Sequence, residues 1–210
     1  MAAEFAVGAE APARLLERGF FARPTETVAR DLLGVWLVRQ SPQGLTGGPI
    51  VETEAYGGPE DLASHARAGR TKRTEPMFGP VGHAYVYLVY GMHECLNVVA
   101  YDGREAGAVL IRALEPRLGV DIVRARRGRV RDADARLASG PARLCQALDV
   151  TRALNGHELT AGARLWLAFG EASGQVATGT RVGVDYAGQG WADRPWRFWV
   201  TGHPSVSRVR

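Results

Sequence analysis

Residues 50–56, Ile-Val-Glu-Thr-Glu-Ala-Tyr, carry two carboxylates and a phenol at every second position. The period-two spacing of a strand puts Glu52, Glu54 and Tyr56 on one face and Val51, Thr53 and Ala55 on the other. Glu54 is the catalytic candidate on local grounds. A carboxylate in mid-strand, beside an aromatic, can be held rigidly and partly desolvated, the setting of a general base. A solvated strand face explains the same seven residues equally well. Arg112 stands among Val109, Leu110, Ile111 and Leu114. An arginine in so apolar a run requires a partner, a carboxylate or a phosphate. Tyr56, Tyr85, Tyr87 and Tyr90, with His65 and His93, could line a pocket for a flat ring or simply form core.

Other chemistries fail on spacing. His93-Glu94-Cys95 lacks the second cysteine pair of a zinc deaminase, and His157-Glu158 has no second histidine at metalloprotease distance. No metal site is therefore expected. Glycine-rich dinucleotide and phosphate loops are absent, which leaves dinucleotide or ATP use unsupported. Asp61 and His65 could be imagined in a hydrolase triad, but no Gly-x-Ser-x-Gly elbow accompanies them. Cys95 and Cys145 stand alone and read as reduced, buried thiols of a cytoplasmic protein.

The elements that must position these groups follow from pattern. Residues 1–22 are a weakly specified lead-in, with 1–14 expected to be poorly ordered. A helix is predicted over 24–33, stopped by Gly34, then a strand over 35–39, a turn-rich link over 41–48 and the 50–56 strand. Residues 57–81 hold one possible turn at 59–65 and a basic patch, Arg67, Arg70, Lys72 and Arg73; a loop this long is usually functional or mobile. Further strands are expected over 108–114, 165–169, 181–185 and 197–200, with helices over 116–126 and 142–148. The last is given Ser139 as its N-cap and Pro141 in its first turn. Residues 126–131, Arg-Arg-Gly-Arg-Val-Arg, read as an exposed loop.

Between 82 and 100, two runs rich in Val, Tyr and Leu flank Tyr90-Gly91-Met92-His93, a hairpin signal resting on a single glycine. Its tip carries large, partly apolar side chains where small polar ones are usual. Either the ribbon is core, or it is a rigid probe that pushes apolar groups into something.

At 210 residues, 46% hydrophobic and 23% charged, with 26 Gly and 11 Pro, the chain fits one loop-rich mixed α/β domain. No apolar run approaches the roughly 20 residues of a membrane span, and no basic stretch followed by an apolar one marks a secretory leader. The net charge of +4 suits a polyanionic partner without establishing one. Of the 26 basic residues Lys72 is the only lysine, so lysine-based covalent chemistry has a single side-chain candidate.

Several blocks together resemble the alkyladenine (3-methyladenine) DNA glycosylase family, the single-domain type of mammals and many bacteria. They are I-V-E-T-E-A-Y-G-G-P-E-D-L-A-S-H (50–65), M-F-G-P-V-G-H-A-Y-V-Y-L-V-Y-G-M-H-E-C-L-N-V-V (77–99), V-L-I-R-A-L-E-P (109–116), S-G-P-A-R-L-C-Q-A-L (139–148) and R-V-G-V (181–184). The resemblance implies an α+β single domain with a curved antiparallel sheet, flanking helices and a protruding hairpin, acting without metal or organic cofactor. It places water activation on Glu54, supported by Arg112, and a base-binding pocket on Tyr56, His65, Tyr87 and Asn97. Tyr90, with Met92 beside it, would fill the gap left in the duplex. Arg70, Lys72, Arg73, Arg143 and Arg181 are candidates for the DNA backbone. The implied partner is double-stranded DNA containing damaged purines, met by a monomer in the bacterial cytoplasm at the nucleoid. Two other classes remain open on the residues: a non-catalytic module that senses distorted duplex, and a small-nucleoside hydrolase.

Overall fold

A computed structural model describes residues 11–103, 105–128, 133–170 and 174–207. Among these the chain forms helices α1 (Thr25–Asp31), α2 (Val120–Arg127) and α3 (Pro141–Leu148). The strands are β1 (Trp36–Ser41), β2 (Gly44–Tyr56), β3 (Ala84–Val89), β4 (His93–Val99), β5 (Ala108–Leu114), β6 (Leu165–Ala168), β7 (Val176–Gly179) and β8 (Arg197–Val200). All pair antiparallel in one curved sheet of order β3-β4-β5-β2-β1-β6, with β8 joining β2 and β7 joining β8. The mixed α/β architecture expected from the sequence is the one observed.

β2 is the spine. Its first half pairs with β1, and its second half lies between β5 and β8. Alternation along it works as expected. Val51 and Ala55 join the main apolar core with Val28 and Ala29 of α1 and Leu32 just after it, and Thr53 Oγ1 donates to Ala29 O at 2.7 Å. Glu52, Glu54 and Tyr56 are thereby sent to the opposite face, away from α1. α3 packs against β4 and β5 and carries Leu144, Cys145, Ala147 and Leu148 into the same core.

Several boundaries differ from the sequence reading, each for a physical reason. The 41–48 link is strand except for Pro42-Gln43, because its glycines serve close backbone approach. A Cβ on Gly47 would lie 2.3 Å from Leu37 O, and one on Gly48 would lie 1.8 Å from Glu115 O. α2 begins at Val120 rather than 116, since Arg117 and Leu118 give their N–H groups to Gly47 O. Ser139 does not cap α3: its hydroxyl donates to Val206 O, and Gly140 holds the N-cap position. Residues 181–185 are not a strand but a turn leading into a 3-10 turn at Asp185–Ala187. Arg126 and Arg127 form the last turn of α2, while 129–131 and residues 1–10 of the lead-in lie outside the described residues. The 57–81 loop contains two 3-10 turns, His65–Ala68 and Glu75–Phe78. Cys95 and Cys145 are buried and free.

The hairpin is β3–β4. Its last pair is Val89 with His93, and Met92 N–H donates to Val89 O across a turn in which Tyr90 and Gly91 have φ of 52° and 70°. Two positive φ values match the twist of the flanking strands, so a tight turn closes the ribbon. The root of β3 is tied down by Asn155 and by backbone bonds to Gly156 and His157. The tip is free: Tyr90 is 90% and Met92 71% exposed.

Candidate active site

Glu54 is fully buried in the middle strand, and three donors converge on it. Tyr56 Oη donates at 2.9 Å and Arg112 Nη1 at 3.0 Å to Oε2; Val182 N–H donates at 2.7 Å to Oε1. Arg112 reaches it from a bulge. On β5, Ile111 faces Thr53 and Ala113 faces Glu52, so Arg112 between them has no partner on β2. Such an extra residue re-aims its side chain, and here the guanidinium lands on both carboxylates, with Nε 2.7 Å from Glu52 Oε1. Burial alone would lower the Arg112 pKa, but Glu54 and Glu52 outweigh it and hold the group above its ordinary value.

Glu52 is a hub rather than a reactive group. Oε1 accepts from Arg112, Arg197 and the Ser207 hydroxyl, and Oε2 from Ser207 N–H. Burial pushes its carboxyl up, yet Arg112, Arg197 and Ser207 together bring it below the usual carboxylate value.

In front of this network lies a cavity of about 400 Å³. One wall holds Tyr56, Ala63 and Val184; the other holds Met77, Tyr85, Tyr87 and His65, with Asn97, Leu110 and Arg112 also in the lining and Tyr90 and Tyr186 exposed at the rim. Glu54 is not itself part of the lining. Its three donors are, so the carboxylate sits one layer behind the surface. The His65 ring meets Tyr87 edge-on at 4.6 Å, and its Nδ1 lies 3.0 Å from Tyr85 Oη. Burial, then Arg73 and Arg67, depress the His65 pKa to about 4, so the ring is neutral at pH 7. Burial pushes the Tyr85 phenol up to about 12. Burial and then Glu54 raise Tyr56, while burial and then Cys95 raise Tyr87; these phenols remain donors. Asn97 is buried, with its amide N–H₂ donating to Tyr85 O at 3.0 Å. A larger depression of about 820 Å³ behind the hairpin tip, between α3 and Pro42-Gln43, contains neither Glu54 nor these rings.

The fold thus gathers Glu54, Arg112, Tyr56, His65, Tyr87, Asn97 and Tyr90 around one cavity. Met92 is exposed beside Tyr90 but does not line it. Arg70, Lys72, Arg73 and Arg143 are exposed. Arg181 is not: its guanidinium is buried and grips Asp61 through Nη1 at 2.5 Å and Nη2 at 3.0 Å. The sequence reading gave no role to Arg197, Ser207 or the Val182 N–H. Arg197 was within reach, since like Arg112 it is an arginine in a short apolar strand. No local signal marks Ser207 or Val182, which arrive from far along the chain.

Known proteins resemble this chain over nearly its whole length. The sequence model of the methylpurine-DNA glycosylase family matches residues 19–204. A protein of Methanocella arvoryzae is 50% identical over 194 residues, 92% of this chain and 96% of its own length. One from Carboxydothermus hydrogenoformans is 48% identical, covering 92% of this chain and 99% of its own. One from Streptomyces avermitilis is 48% identical, with 93% and 92% covered. Each bears the provisional name 3-methyladenine DNA glycosylase. The chain belongs to the methylpurine-DNA glycosylase family, enzymes that hydrolyse N-glycosyl bonds in DNA repair.

Proposed function

We propose that this enzyme excises alkylated or deaminated purines, of the 3-methyladenine, 7-methylguanine, ethenoadenine and hypoxanthine class, from duplex DNA, with a water activated by Glu54. The observation that carries this reading is the Glu54 carboxylate, buried under three donors behind an aromatic-walled cavity.

A glycosidic carbon inside a duplex is out of reach, so the nucleotide is extruded at a cost of about a few kcal/mol of stacking. Tyr90, flat and exposed beside the cavity rim, offsets that cost by filling the gap, with Met92 against the neighbouring base. The extruded base enters between Tyr56 on one side and His65 and Tyr87 on the other. A cationic methylpurine gains about 0.5–2 kcal/mol from such ring faces. A neutral His65 adds no repulsion. Asn97, fixed by its bond to Tyr85 O, screens out the exocyclic amine of a normal guanine.

Among the described residues Glu54 Oε1 receives only the Val182 N–H, which leaves it an acceptor site for water. The water oxygen bonds to C1′, the N-glycosyl electron pair departs with the base, and the water proton passes to Glu54. Arg112 and Tyr56 hold Oε2 so that the carboxylate does not rotate. Lys72, the only lysine side chain, is exposed and outside the cavity wall, so no lysine is placed for a Schiff base and the reading is hydrolysis that leaves an abasic site.

The test is a gel assay on duplexes carrying hypoxanthine or ethenoadenine and on methylated DNA. Wild type should yield strand breaks only after alkali. Glu54→Gln should slow excision about 10²-fold or more while still binding lesion duplex. Retained turnover in Glu54→Gln removes Glu54 as the base, breaks without alkali remove the monofunctional reading, and activity confined to free nucleosides favours a nucleoside hydrolase.

A further inference from the structure

The Asp61–Arg181 pair lies outside the reacting set, yet it joins three segments around the carboxylate and one cavity wall: β2, the 57–64 loop and the stretch from 181 to 191. Both side chains have no exposure. Asp61 Oδ1 accepts from Ala63 N–H at 3.0 Å and from Arg181 Nη2 at 3.0 Å. Its Oδ2 accepts from Gly57 N–H at 2.9 Å and from Arg181 Nη1 at 2.5 Å. The carboxylate therefore folds the 57–64 loop around itself, and that loop delivers Ala63 and His65 to the cavity. From the other side, Arg181 Nη1 donates to Ala55 O at 3.0 Å, between Glu54 and Tyr56 on β2, and Nη2 donates to Trp191 O at 3.0 Å. Its guanidinium carbon is 5.0 Å from the Tyr56 ring centroid. The next residue, Val182, supplies the N–H on Glu54 Oε1.

We infer that Asp61 and Arg181 are positioning residues for the glycosylase reaction: their bidentate pair fixes the Val182 N–H on Glu54 and the spacing of the Tyr56 and His65 walls. This rests on Glu54 as the base. Bound to both Asp61 oxygens, Ala55 O and Trp191 O, the Arg181 fork is held at four acceptors, which restrains the stretch of backbone that carries the Val182 N–H. A lysine keeps the charge but not the fork. Small displacements of catalytic groups are costly in rate even when binding persists.

Two variants test it. Arg181→Lys retains the cation, and Asp61→Asn/Arg181→Gln removes both charges together, so that neither is left buried alone. For folded protein, with active sites counted by titration, single-turnover release of 7-methylguanine from methylated duplex should fall at least about tenfold. Affinity for a duplex holding a reduced abasic analogue should stay within about threefold. A purely structural pair would lower the melting temperature and the titrated fraction but not the rate per active site. An unchanged rate in either folded variant overturns the inference, and so does a parallel loss of rate and affinity. Where one variant does not fold, the other decides. Glu54→Gln, run beside them, separates the two claims: active Glu54→Gln refutes the base itself, whereas inactive Glu54→Gln with fully active Arg181→Lys refutes only the positioning pair.

Discussion

His65 shows how one residue's environment selects its task. The proposed place of this imidazole against a cationic base calls for a neutral ring, and burial with Arg73 and Arg67 nearby brings its pKa from 6.5 to about 4. Between those values the unfolded chain binds a proton that the folded chain does not. The stability contributed by neutral His65 is therefore fully present above pH 6.5 and is lost as pH falls toward 4. Melting curves taken from pH 7 down to 4 should fall less steeply for His65→Gln than for wild type. Taking the difference between the two proteins removes the carboxylates that titrate in both, and parallel curves would show that His65 is not the group responsible. The proposed catalytic pair, Glu54 and Arg112, and the pocket candidate Tyr56 could be picked out because their types and spacing are local: Glu54 and Tyr56 two apart on a strand, Arg112 stranded among aliphatics. Their partners were not, since Val182 and Ser207 act through groups 128 and 155 residues from their carboxylates.

At the scale of elements the hairpin sets function against local comfort. Tyr90 holds φ +52°, a left-handed conformation that costs a residue with a Cβ roughly 1 kcal/mol. Glycine would relieve that strain, but it would also give the unfolded chain more freedom, an effect of about the same size. Tyr90→Gly should therefore shift unfolding free energy by no more than about 0.5 kcal/mol in urea melts. The lesion-dependent rise in 2-aminopurine fluorescence that reports base extrusion should nevertheless be lost. An unchanged signal would mean that the tip is not the wedge. Strands with an alternating or apolar pattern, such as β3, β4 and β5, were legible from sequence, whereas elements defined by tertiary contact were not. The start of β2 is hidden by Gly47 and Gly48, whose use is close approach rather than turning. Residues 181–185 look like a strand but spend their hydrogen bonds on Asp61, Ala55 and Glu54 instead of a neighbour in the sheet.

Across the whole molecule, a net charge of +4 says less than where the cations end up. Arg112, Arg181 and Arg197 are drawn inward by Glu52, Glu54 and Asp61 and are paired there rather than presented to solvent. Arg70, Lys72, Arg73 and Arg143 remain exposed, on the loop before the hairpin and the first turn of α3. Each phosphate that such a residue neutralises releases condensed counterions and steepens the salt dependence of binding by about 0.9 in log K against log salt. If these four make one phosphate contact each, binding to undamaged duplex should follow a slope of roughly −3 to −4. Replacing Lys72 or Arg143 with alanine should flatten it by about one unit, uniformly across DNA sequences. Arg181→Lys should leave the slope untouched while slowing excision, because a buried guanidinium bound to Asp61 has no counterion to displace. Fluorescence anisotropy titrations at several salt concentrations read the slope, and single-turnover base release reads the rate. A slope that flattens with Arg181→Lys would place that residue at the DNA surface and contradict its burial in the pair with Asp61.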